Sequence, residues 1–338
     1  MKYSLFLYTP LFLLLLIIII LISISVGSVN ISCFEIVDMC FGSLKEGQFP
    51  QSHWDIVFRI RLPRIFLAIL VGAGLSIAGV AFQAFLRNPL ADPYIVGVSA
   101  GAAVGAGLSF LFKLNLLFHV ISLTPVAAFM GALFTVFIVY RLSLVRGKVP
   151  VETFLLSGVI VGSFLWALVS FVMFLSREDL HRLIFWIMGS LAEKNWTDVF
   201  LLLPYLLTGS IILWMNSRAL NVMTLGDEAS HYLGVEVERT KFILIIASSL
   251  ITAATVSVSG IIGFVGLIVP HIVRMIFGSD HRVVLPLSGL VGAILLVFSD
   301  TLARTLLVPM EIPVGIITAL LGAPFFCYLL RKRKFSFF

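Results

Sequence analysis

The chain has 338 residues, of which 60% are hydrophobic and only 12% charged, and its formal net charge is +6. Soluble domains carry about 25% charged residues, so this composition excludes a soluble enzyme or a nucleic-acid-binding domain. It predicts an all-α polytopic membrane protein, read as one transmembrane domain over residues 1–338.

About 20 apolar residues cross a bilayer core of roughly 30 Å. On that ruler ten spans are predicted, at 5–26, 63–86, 94–112, 118–140, 153–175, 197–215, 241–259, 262–277, 284–303 and 314–330. The first, Lys2 followed by "LFLLLLIIII", has the look of a signal peptide with small residues after it. It outlasts a typical apolar signal core and lacks an A-x-A site, so a retained helix is expected. Cys33 and Cys40 follow it. A disulfide between them is chemically allowed if that loop faces an oxidising compartment, and two free thiols are the alternative.

Before the second span stand Arg59, Arg61, Pro63 and Arg64. Pro63 suits the first helical turn. The arginines do not suit it electrostatically, because each cation at the positive pole of a helix dipole is disfavoured by roughly 0.3–1 kcal/mol. Asp55 can neutralise part of this charge. Two readings stand side by side: arginines that anchor a helix at the interface, or a cationic mouth that receives an acidic partner.

Small residues concentrate in a few spans, with a true G-x-x-x-G at Gly101 and Gly105. In lipid, close backbone approach through small residues is a major packing device, so these helices are expected inside the bundle. The eighth span is interrupted by Gly260, Gly263, Gly266 and Pro270. Such breaks survive at membrane depth only where the freed backbone groups find partners or line a cavity.

The longest loop on the side of the termini, about residues 219–239, holds "GDEASHYLG". Asp227 and Glu228 suit a first helical turn and Gly234 a stop, which predicts a short helix beside the membrane.

Within or at the margin of the spans the ionisable residues are Asp300, Glu152 and, near a cytoplasmic end, His271. Asp300 and Arg304 lie four apart and can pair on one helix. No pair of membrane-centre acids suited to proton coupling occurs, although sodium sites built from backbone carbonyls remain open to an ion-coupled secondary transporter. There is no phosphate-binding G-x-x-x-x-G-K-[ST] loop, no catalytic constellation and no Cys/His metal spacing. No enzyme activity, cofactor or resident metal is expected, and any ATP hydrolysis must come from another chain. Loops on the side of the termini carry 14 of the 23 Lys and Arg residues. The positive-inside rule therefore predicts that both termini are cytoplasmic.

Five stretches together resemble the FecCD family of ABC-transporter permeases. They are "RLPR" at 61–64, "NPLADPYIVGVSAGA" at 88–102, "GFVGLIVPHIVR" at 263–274, "DHRVVLP" at 280–286 and "EIPVGIITALLGAPFF" at 311–326. The resemblance implies a type II importer fold of ten helices, in a cell (inner) membrane. It also implies a second permease copy, two cytoplasmic ATPases and an extracytoplasmic binding protein. Whether the second copy is identical or a sister permease stays open. So does the cargo, among iron–siderophore, haem, cobalamin and oxyanion.

By the same resemblance, Arg61, Arg64 and Arg304 match the arginines that receive acidic residues of the binding protein. Leu225, Gly226, Asp227, Glu228, Ala229, Ser230 and Gly234 match the segment that couples to the ATPase. Gly101, Gly105, Gly263, Gly266 and Pro270 are expected to serve helix packing or the pathway. Glu152 departs from the small polar residues expected near the cytoplasmic gate.

Overall fold

A computed structural model describes residues 2–27, 29–41, 50–114, 123–176 and 179–334. The main helices are α1 (Lys2–Ser25), α2 (Cys33–Phe41), α3 (Gln51–Asp55), α4 (Leu62–Phe85), α5 (Val98–Leu111), α6 (Leu123–Ser143) and α7 (Val151–Leu175). They continue with α8 (Leu180–Ile187), α9 (Trp196–Met215), α10 (Ser217–Met223), α11 (Asp227–Tyr232), α12 (Val237–Ser259), α13 (Val265–Phe277), α14 (His281–Thr305) and α15 (Val314–Lys334). Seven of the described helical stretches are long and apolar enough to cross a membrane. With the shorter apolar helices α5, α13 and α15 they occupy the ten predicted spans. The beginning of the span predicted at 118–140 falls outside the described residues.

Burial sorts the helices. The stretches containing α4, α12 and α14 are buried over 72%, 78% and 67% of their most apolar windows, whereas α1 is buried over 11% and α7 over 22%. The buried three are rich in small and hydroxyl residues, as is the buried α5. The outer two present Leu14, Ile17, Leu156, Phe164 and Phe174 outward. An apolar helix surface facing lipid costs nothing, so the sequence spends its small residues where backbones must touch. At Gly79 any Cβ would collide with the carbonyl oxygen of Gly266, which brings α4 directly against the start of α13.

The break between α12 and α13 has its backbone groups answered by side chains. The Tyr94 hydroxyl donates to the Ile262 carbonyl at 3.1 Å and accepts from the Ile262 N–H at 3.2 Å. The buried Gln83 amide donates to the carbonyls of Ala91 at 3.2 Å and Leu267 at 3.1 Å. Irregular backbone at this depth therefore leaves no orphan at these positions, as lipid requires.

Two ends of the bundle follow from the helix directions. One, here the mouth, carries the α1–α4, α7–α9 and α14–α15 connections. The other, the base, carries the α4–α5, α6–α7, α9–α12 and α13–α14 connections.

Candidate partner-binding sites at the two ends of the bundle

At the mouth, α3 runs through a π-helical turn, Ile56–Arg61, into α4. One-turn π segments often mark functional positions. Here the turn leaves Arg59 outside, 75% exposed and paired with Asp55 at 3.1 Å, while Arg61 and Arg64 are only 4% and 7% exposed.

Arg64 makes a two-pronged pair with Asp300 of α14: Nε donates to Oδ2 at 2.9 Å and Nη2 to Oδ1 at 2.9 Å. Its third prong, Nη1, donates to Glu311 Oε2 at 2.8 Å. Asp300 is fully buried and Glu311 is 43% exposed at its side chain.

The Asp300–Arg304 pair suggested by their spacing is only a loose contact, with Arg304 Nε 4.0 Å from Asp300 Oδ2. A planar guanidinium from another helix can meet the carboxylate with two parallel hydrogen bonds, and a neighbour one turn along the same helix does not reach that geometry. Arg304 instead donates through Nη2 to the carbonyl and hydroxyl of Ser23 in α1.

Arg61 also reaches α1. It donates to the carbonyls of Ile24 and Val29, and to that of Ser25 at 3.3 Å. The last carbonyls of a helix have no intrahelical partner and form the negative pole of its dipole. The cations that sit badly at the start of α4 thus sit well at the end of α1. This is a local reason for arginines at a helix N-terminus, and it makes α1 an integral part of the mouth.

Arg61, Arg64 and Arg304 all line one small pocket of about 180 Å³, with Gly27, Pro309 and Glu311 around it. Three guanidiniums face two carboxylates there, so one positive charge is in excess. The Nε of Arg304 is buried and has no hydrogen-bond partner. Its Nη2 is on Ser23, so the pocket keeps a net positive charge to which an outside carboxylate is complementary. A larger cleft of about 710 Å³ adjoins it, lined by Arg59, Arg64, Glu193, Lys194 and Glu311 among others.

At the base, α11 begins at Asp227 and Gly234 follows it with φ of 81°. Asp227 is held by two cations from distant parts of the chain. Arg87, beyond the end of α4, donates to Oδ1 at 2.8 Å, and Lys241 of α12 donates to Oδ2 at 2.6 Å. Lys241 is 1% exposed and also donates to Glu238 at 3.0 Å and to the Val149 carbonyl at 3.0 Å. Ser230 is fully buried and its hydroxyl donates to the carbonyls of Gly226 and Val222.

A third tie runs through α10. Asn221 donates to Asp280 at 2.8 Å and accepts from the His281 N–H at 2.9 Å, at the start of α14. Asp280 is partly desolvated, yet hydrogen bonds from Asn221 and the Arg282 N–H, with the Arg282 charge, hold its carboxyl below the usual range. Leu225, Tyr232 and Leu233 point outward at 65%, 88% and 61% exposure, Glu228 is exposed and Ala229 is half-buried. The segment is therefore rigidly fastened to α4, α12 and α14, with an apolar outer face.

Sequence spacing did not reveal Arg87, Lys241, Asn221, Gln83 or Tyr94 as parts of these sites. All five act across long sequence separations, where periodicity carries no information. Of the expected packing residues, Gly101 and Gly105 abut α6 at Gly131 and Ala127, Gly266 lies against Leu75 and Pro93, and Pro270 is buried within α13. A Cβ at Gly263 would meet nothing within 4 Å. Glu152 is exposed in the first turn of α7. Cys33 and Cys40 share α2, and seven residues along one helix separate Cα atoms by about 10 Å, beyond disulfide reach. Their side chains lie outside the described residues.

The FecCD transport family matches residues 15–332. The cobalamin import permease BtuC of Halobacterium salinarum is 50% identical over 285 residues, covering 84% of this chain and 76% of the relative. The hemin transport permease HmuU of Yersinia pestis is 39% identical over 313 residues and 92% of each chain. A solved structure described as an inward-facing conformation of a transporter assigned to the metal-chelate ABC type superposes with a TM-score of 0.82. It is 34% identical and covers 95% of this chain and 97% of that one.

Proposed function

The chain belongs to the FecCD transport family, and we propose that it is the permease subunit of a binding-protein-dependent ABC importer for a metal chelate of the iron–siderophore, haem or cobalamin class. Two copies surround the pathway, and two ATPase subunits at the base supply the energy. The mouth is extracytoplasmic, the base and both termini are cytoplasmic, and the membrane is the cell's inner one. Relatives named for cobalamin, hemin and iron(3+)-hydroxamate import support this cargo class.

The observation that carries the reading is the arginine pocket at the mouth, where three guanidiniums meet two carboxylates. A binding protein presenting a carboxylate there gains a charge-assisted contact that fixes its register. At the base, the outer face of Leu225–Leu233 fits a cleft on the ATPase. Asp227 passes its movement to α4 through Arg87 and to α12 through Lys241. Among the described residues the buried acid of the spans is Asp300, and it is held by Arg64 through a two-pronged pair.

The test is docking of the cognate binding protein to the permease–ATPase complex, with each surface carboxylate of the binding protein neutralised in turn. One Glu→Gln or Asp→Asn change is expected to weaken docking about tenfold, and wild-type docking to weaken with salt. Docking indifferent to every such change and to salt would contradict the pocket's role.

A further inference from the structure

We propose that Glu311 is an internal stand-in for the partner's carboxylate, displaced from Arg64 when the binding protein docks, so that docking itself frees the α14–α15 connection. This rests on the docking role given above to the arginine pocket.

Arg64 uses its prongs unequally. Nε and Nη2 are taken by Asp300, which is fully buried on α14 and inaccessible to any other molecule. Nη1 is taken by Glu311, the partly exposed carboxylate of the set. Glu311 therefore holds the Arg64 nitrogen that does not face Asp300, and it does so with a carboxylate open to the outside. It also lines both the arginine pocket and the larger cleft beside it.

The connection it belongs to is lightly held. Leu306, Leu307, Val308 and Met310 are 54–69% exposed. Its backbone ties are Leu306 N–H to the Leu302 carbonyl at 3.0 Å, Met310 N–H to the Leu307 carbonyl at 2.8 Å and Ile312 N–H to the Ala303 carbonyl at 3.0 Å. Glu311 stands three residues before α15 begins at Val314. Releasing it therefore unfastens the connection from α4, while Gly315 N–H keeps the start of α15 on the Gly189 carbonyl at 3.3 Å and the Arg64–Asp300 pair keeps α4 and α14 together. The exchange replaces one carboxylate by another at the same nitrogen, so the guanidinium is never stripped of its charge partner. The device needs only a small difference in affinity to be reversible.

The experiment uses the permease–ATPase complex and its cognate binding protein. In Glu311→Gln the competitor is neutralised, and docking is expected to tighten about three- to fivefold, the scale of a half-exposed ion pair. In the unmodified complex, amide hydrogen exchange at Ile312 is expected to quicken on docking, because its bond to Ala303 belongs to the freed segment. Tighter docking without quickened exchange would mean that Glu311 merely lowers the pocket's charge, which overturns the displacement. Unchanged or weaker docking of Glu311→Gln, with partner carboxylate variants still impaired, overturns it while leaving the docking pocket in place. Partner variants that dock normally remove the pocket reading and this proposal together.

Discussion

Arg64 and Asp300 stand 236 residues apart in sequence and meet through two parallel hydrogen bonds of 2.9 Å, joining α4 to α14 inside the mouth of the bundle. Breaking a buried pair by removing one partner leaves an uncompensated charge and costs about 3–5 kcal/mol. Asp300→Asn should therefore lower thermal stability in detergent markedly. A double change with Arg64→Gln should recover part of the loss, a coupling that a double-mutant cycle reads directly. Additive effects would mean that the two side chains do not act as a pair.

A second prediction concerns α1. Arg61→Gln and Arg304→Gln each remove charged donors to its last carbonyls, contacts worth about 1.5–3 kcal/mol. Proteolysis near residues 26–30 in folded protein should accelerate severalfold in either variant and further in both. Unaltered cleavage would show that α1 is held by its packing on α14 alone.

A third concerns the base. Asp227→Asn retains the shape of the side chain and loses the charge that Arg87 and Lys241 share. Cargo moved per ATP hydrolysed should fall about tenfold, equivalent to roughly 1.4 kcal/mol, while hydrolysis continues. A change at the half-buried Ala229 to a bulky residue should act in the same direction by disturbing the seat of α11. Parallel loss of hydrolysis and transport would point to a failure of ATPase binding instead.

A fourth concerns packing. Gly79→Ala forces a Cβ into the Gly266 carbonyl, and overpacking of this kind costs about 1–3 kcal/mol. Thermal melting of the variant should fall accordingly, whereas Gly263→Ala, which meets nothing within 4 Å, should melt close to the unmodified chain.

The spanning helices were legible because lipid imposes a length on an apolar run, and α11 because Asp227, Glu228 and Gly234 punctuate its ends, whereas the short α2, α3, α8 and α10 carry no such signal. The roles of the arginines were only half legible. Local rules offered Arg304 as the neighbour of Asp300, but the partner that wins is Arg64, brought by the packing of α4 on α14. The helix-dipole argument made Arg61 look misplaced because it considered α4 by itself. The end of α1, which Arg61 caps, is a neighbour in space that no spacing reveals. Tyr94 and Gln83 were hidden for a related reason, since they serve backbone groups freed by a break elsewhere in the chain.

Uptake into proteoliposomes tests the central claim most directly. The chain is reconstituted with its ATPase, with binding protein and radiolabelled iron chelate, haem or cobalamin outside. Accumulation of one of these cargoes should require both ATP and the binding protein, and should cease with an ATPase unable to hydrolyse. Uptake that persists with the inactive ATPase, and collapses when an ionophore dissipates the ion gradients, would contradict the account.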